Sequence, residues 1–257
     1  MSIVLNEYQW AERMISNRDL GSKPTETLAR VAKYYTYQGR KKKEVTRLLE
    51  NFILTCDPSA KLPKWANVVD RSIKAAAKEL PVILDRITVT DKEMATIQAL
   101  QGRPLQRLAF TLLCIMKYNV ASGKDGCWVN TPDNEIMVMA NISASIKRQS
   151  LLFGQLRDAG LIRFSKRIDS LSVEVLFGEA GEDAVTVTDF RNLGYQYMHH
   201  MGEPYFECQH CGLTEKIRTP ERGRPPKYCP TCAVEIRMKQ NINSVMRCRG
   251  RQMQITV

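Results

Sequence analysis

The chain has 257 residues, 44% of them hydrophobic, and a formal net charge of +11. That length accommodates one large domain or two to three small ones, and the hydrophobic share is enough for a real core. No apolar run approaches the roughly 18 residues of a bilayer span, and the opening MSIVLNEYQWAER carries Glu7 and Glu12 in place of a signal sequence. The expectation is a cytoplasmic protein with no membrane partner, whose eight cysteines stay reduced.

Residues 1–80 read as a helical bundle. Val45, Leu48, Leu49, Phe52, Ile53 and Cys56 recur three and four apart, which puts them on one helix face. Leu28, Val31, Ala32 and Tyr35 repeat the pattern before Gly39, and Trp65, Val68, Val69, Ile73 and Ala76 repeat it before Pro81. Turn residues at 21–24, 39 and 57–63 separate about four helices. Seven Lys/Arg against one Glu crowd residues 30–47. A helix pair split by a Gly-Arg turn, over residues 25–78, resembles the small helical domain beside some phage and plasmid primases.

Residues 81–104 read as a linker. VILDRITVT (82–90) is an extended run or a strand pair. Thr90-Asp91-Lys92-Glu93 is a capping box for a short helix, and Gly102-Arg103-Pro104 breaks the chain.

Residues 105–178 show the order helix, short strand, helix, turn, helix, hairpin. Residues 105–118 are a strongly apolar helix and Cys127-Trp128-Val129 a short strand. Thr131 caps a helix with Pro132 in its first turn. Asn141-Ile142 makes a tight turn, Ser143 caps the next helix, and LIRFSKR and LSVEVLF form two β-prone runs. This order resembles a winged helix-turn-helix domain. That resemblance implies that Ile146, Phe153 and Leu156 face the core of the recognition helix, while Ser145, Lys147, Arg148 and Gln149 face DNA. Arg pairs bidentately with guanine and Gln with adenine in the major groove. Lys166 and Arg167 fall at the wing tip, where cations meet phosphates without reading sequence. Residues 143–167 carry six Lys/Arg against Asp158 alone. Winged helices also dock proteins, so this order leaves both uses open.

Residues 179–202 read as an acidic connector, and 203–257 as a zinc ribbon with a basic helix. In CQHCGLTEKIRTPERGRPPKYCPTC, two Cys-x-x-Cys pairs stand seventeen residues apart. That spacing is a zinc signature. Each turn presents two thiolates, and four of them close a tetrahedron around one structural Zn²⁺ with no open position for chemistry. Cys208, Cys211, Cys229 and Cys232 are the expected ligands, and an iron–sulfur site or a redox pair is the competing reading. The ion supplies folding free energy that so short a loop lacks. His210 has the wrong spacing for the paired turns, and His199 and His200 face solvent or neighbouring aromatics. Inside the loop, Arg222-Gly223-Arg224-Pro225 matches the core of an AT-hook, a minor-groove arm; a stiff proline loop is the bland alternative. Arg237, Lys239 and Arg247 lie on the helix that follows. KYCPTC running into a basic helix resembles the zinc ribbons that end phage and prophage proteins.

No phosphate-binding loop, dinucleotide fingerprint, HExxH or nucleophile elbow occurs. The expectation is a non-catalytic protein, mostly α with small β elements, built as bundle, winged helix and ribbon. Over residues 105–250 it resembles phage and prophage DNA-binding proteins of bacteria. The resemblance implies double-stranded DNA as partner, in transcription regulation or replication initiation inside a bacterial host cell. The alternative is an adaptor that docks on RNA polymerase or a replisome component.

Overall fold

Helix formation at the N-terminal end follows the apolar spacing. Stripes three and four apart become α1 (Glu7–Asn17), α2 (Pro24–Tyr37), α3 (Lys42–Cys56) and α4 (Leu62–Ala76). The Asn6 side chain accepts from the Gln9 amide at 2.9 Å and caps α1. Pro24 opens α2 where its missing N–H costs nothing. Gly39, at φ +78°, reverses the chain between α2 and α3. Then follow β1 (Ile87–Thr90), α5 (Asp91–Gln98), α6 (Arg103–Ala121), β2 (Trp128–Val129), α7 (Asp133–Met139) and α8 (Ile146–Asp158). After these come β3 (Ile162–Phe164), β4 (Val173–Val175), β5 (Asp183–Val187), α9 (Leu193–His200), β6 (Tyr205–Glu207), β7 (Thr214–Lys216) and α10 (Pro230–Gln254). The computed structural model describes residues 3–123, 126–166, 172–217 and 226–254. The chain is mostly helical, with small antiparallel sheets. No helix among the described residues is long and apolar enough to cross a membrane.

Two compact units form, and they alternate along the chain. One comprises residues 1–90, 114–129 and 180–190; the other comprises 91–113, 130–179 and 191–257. The boundaries read from sequence are linear, and this division is not. The reason lies in two segments far apart in sequence, one expected to be extended and the other expected to be a connector. Residues 87–90 of the expected linker become β1, and the acidic connector supplies β5 and α9. β1 and β5 pair antiparallel with Ile87 opposite Val187 and Val89 opposite Val185. All four of those side chains are buried. The acids of this region mask an alternation of valines that only a pairing partner reveals.

In the first unit the bundle core holds Leu28, Val31, Leu49, Phe52, Ile53 and Ile73, with Trp65 and Val68 half-buried against it. Buried Glu7 pins the bundle to the following segment. Its amide donates to Val82 O at 2.8 Å, and its carboxylate accepts from Val82 N at 3.1 Å and from Arg30 Nε at 3.2 Å.

In the second unit, α6 buries Leu105, Leu108, Phe110, Leu112 and Leu113, and α8 buries Leu152, Phe153 and Leu156. β3 and β4 pair antiparallel, Ile162 opposite Val175 and Phe164 opposite Val173. Tyr197 of α9 is fully buried, its ring 5.4 Å from that of Phe110 and its hydroxyl donating to Gln106 Oε1 at 3.2 Å. The amide end of Gln106 donates to Gln98 O and Leu100 O, so each of its polar atoms is used. One expectation fails here. Ile146 is 83% exposed, because it is the first residue of α8 and precedes the turn that meets the core.

Candidate metal centre

The four cysteines converge from two local structures. β6 and β7 form an antiparallel hairpin, Tyr205 opposite Lys216 and Glu207 opposite Thr214. Cys208 and Cys211 lie in its turn. The Cys208 amide donates to Leu213 O and the Gly212 amide to Cys208 O, both at 2.9 Å. Gly212 sits at φ +69°, the left-handed conformation that a side chain disfavours and this turn requires. Cys229 and Cys232 bracket the first residues of α10, where the Ala233 amide donates to Cys229 O at 2.9 Å. The Gln209 amide donates to Lys227 O at 3.0 Å and ties one turn to the other.

The four ligand atoms all lie within 4.8 Å of one another, and Cys211 Sγ is 3.8 Å from Cys229 Sγ. A tetrahedron of thiolates at about 2.3 Å from a metal has sulfur–sulfur edges of about 3.8 Å, so the donor set fits one ion. Cys208, Cys229 and Cys232 are buried and Cys211 half-buried, with Leu213 and Tyr228 packed beside them. Burial pushes the Cys208 thiol up, but backbone N–H groups of Cys229, Cys211 and His210 outweigh it and bring it down to about 6. Burial and the neighbouring sulfurs push Cys232 up, and burial leads the rise of Cys211. One sulfur is prepared as a thiolate. Cys211 and Cys232 ionise against desolvation and neighbouring sulfurs unless a cation compensates, which is the electrostatic condition of a metal site. His210, His199 and His200 are exposed and take no part.

The hairpin is joined to the end of α7 by residues that carry no motif. Asn192, the N-cap of α9, donates to Thr214 O at 3.0 Å, and Arg191 donates to Cys211 O at 2.7 Å. Asn141, just past α7, donates to Asn192 Oδ1 at 3.0 Å and accepts from the Tyr195 amide at 3.1 Å. Arg107 of α6 donates to Asn141 O at 3.0 Å. Gly194 lies so close to α7 that a Cβ there would stand 1.9 Å from Ala140 O. Asn141 was legible as a turn residue; Arg191, Asn192 and Gly194 were not, because their partners lie far off in sequence.

The basic residues expected to meet DNA fall in several places. Ser145, not the expected Ser143, caps α8, accepting from the Arg148 amide at 3.4 Å, and Ser145, Lys147 and Arg148 are exposed at its start. Gln149 is half-buried and its amide is spent on Ala144 O at 2.9 Å, which withdraws it from that exposed group. Lys166 is exposed after β3, and Arg237 and Lys239 are exposed on α10. Arg247 lies in α10 with its side chain outside the described residues, as do Arg167, Arg222 and Arg224 entirely. Comparison with protein-family models, curated proteins and solved structures finds no match.

Proposed function

We propose that the chain is a non-catalytic, zinc-containing DNA-binding protein, acting in phage or prophage transcription regulation or replication initiation. The observation that carries this reading is the exposed first turn of α8, where Ser145, Ile146, Lys147 and Arg148 project together while Leu152, Phe153 and Leu156 bury the following turns. In the order α7, turn, α8, β3, β4 we read a winged helix-turn-helix, whose recognition helix enters the major groove by its N-terminal residues. On that reading Arg148 pairs with a guanine edge and Lys147 with phosphate. The exposed Ile146 finds a use as an apolar contact for a thymine methyl.

Zinc is the ion we assign to Cys208, Cys211, Cys229 and Cys232, because four thiolates in a closed tetrahedron are its structural donor set. It would hold the β6–β7 hairpin and the start of α10 together and supply folding free energy. Lys166, Arg237 and Lys239, with Arg167, Arg222, Arg224 and Arg247, would add phosphate affinity and a steep salt dependence.

A second reading, a protein-docking adaptor, has one observation of its own. Val234, Met238, Ile242 and Met246 form an exposed apolar stripe along α10. Footprinting of the zinc-loaded protein over its own genomic neighbourhood separates the two. Discrete protected sites that vanish in Lys147→Ala plus Arg148→Ala support the α8 reading. Absence of any protection sinks it and leaves the adaptor.

A further inference from the structure

Three tyrosines of the first unit meet on its surface. The Tyr8 ring from α1 lies 4.7 Å from that of Tyr34 and 5.7 Å from that of Tyr37, tilted to the first and edge-on to the second. Gln38 Nε2 donates to the Tyr8 hydroxyl at 3.2 Å and fixes that ring at the end of α2. Tyr34 packs against the bundle core and Tyr8 is half-buried, but Tyr37 is left 51% exposed at the edge of the cluster.

Directly after Tyr37 the chain turns at Gly39 and runs into Arg40-Lys41-Lys42-Lys43. From Tyr37 to Lys41 is at most about 15 Å of chain. Arg40 is held by Glu44 at 2.8 Å, and Lys42 lies 4.0 Å from Asp70. Lys41, Lys43 and Arg47 are exposed and make no ion pair among the described residues. Cations at this end of a helix work against its dipole, so stability does not account for the run. The acids nearby are Glu44, paired with Arg40, Asp70, paired with Lys74 at 2.7 Å, and Glu12, close to Tyr34.

An exposed ring held by other aromatics beside uncompensated cations is a combination that binds unpaired nucleotides: the ring stacks on a base and lysines meet the phosphates. A duplex hides its base faces and has no use for the tyrosines. We infer that Tyr8, Tyr34 and Tyr37, with Lys41 and Lys43, form a binding site for single-stranded nucleic acid, separate from the duplex contacts of α8. The site belongs to the other compact unit and does not depend on the duplex reading.

The test is fluorescence anisotropy of the full chain with labelled oligo(dT) and oligo(U) of about 16 nucleotides. Wild type binds at least one of them, and the tighter arm tells DNA from RNA. Tyr37→Ala weakens binding about tenfold, the scale of one lost stack, while Tyr37→Phe retains it. Lys41→Ala plus Lys43→Ala lowers the salt slope by about 1.4, as two lost phosphate contacts require on a single strand. Absence of binding by wild type to either oligomer overturns the inference. So does binding that Tyr37→Ala and the lysine pair leave intact, and neither result bears on duplex footprints.

Discussion

Asn141 and Asn192 both stand in the left-handed backbone region, at φ +55° and +53°, and the side-chain amide of the first donates to the side-chain oxygen of the second at 3.0 Å. Asn is among the few residues that tolerate this conformation, because its short polar side chain bonds locally. Here one such residue ends α7 and the other begins α9, and the second passes the connection to Thr214 in the metal hairpin. Asn141→Ala loses both side-chain hydrogen bonds and strains the turn, and is expected to cost about 3 kcal/mol. Asn141→Gly loses the same bonds but keeps the backbone relaxed, and is expected to cost less. Urea denaturation of the two variants checks the order; equal losses would remove the backbone argument.

Gly194 offers a steric counterpart. A methyl group there would overlap Ala140 O at 1.9 Å, and the obstacle is backbone, which cannot rotate away as a side chain can. Gly194→Ala is expected to destabilise the protein by on the order of 3 kcal/mol. A change below about 1 kcal/mol in the same denaturation assay would mean that α9 is not held against the end of α7.

Metal content is predicted directly by the sulfur geometry. Wild type is expected to bind one zinc ion per chain, read by elemental analysis, and Cys229→Ser to bind none. Cys127→Ser keeps the ion, since Cys127 is exposed and outside the sulfur group. Chelation should also raise amide exchange through residues 205–216, where Arg191 and Asn192 donate to Cys211 O and Thr214 O. Unchanged exchange on metal loss would show that the hairpin stands without the ion.

Alkaline pH should unfold the chain by way of its tyrosines. Burial pushes the Tyr118 phenol up to about 12, Glu7 adds to the rise and Arg30 opposes it. Burial also raises Tyr35, Tyr197 and Tyr205. The folded state favours the neutral phenol, so its contribution is complete below the unfolded value of about 10 and is lost as pH climbs towards 12. The urea midpoint is expected to fall across that window, and Tyr118→Phe to flatten the fall. A midpoint independent of pH there would contradict the burial.

Where chemistry is carried by local spacing, the residues announced it. Cys208, Cys211, Cys229 and Cys232 came from two paired turns, and the sulfur group lies where those turns put it. The bundle helices followed from stripes such as Val45, Leu49, Phe52 and Ile53, whose burial needs only one apolar face. Ile146 was misread because apolar character was taken for burial at the very start of a helix, where the face that meets the core has not yet come round.

The sequence by itself determined the four bundle helices, the hairpin of β3 and β4, and the four sulfurs, because each depends on residues a turn or a short loop apart. Only the tertiary structure decided that β1 pairs with β5, that the acidic segment folds into a strand and α9, and that Asn141 joins the metal hairpin through Asn192. These pairings link residues fifty to a hundred positions apart. Their free energy comes from a buried partner or a satisfied hydrogen bond that neither local stretch contains. A pattern read along the chain has no means of naming that partner until the chain has folded.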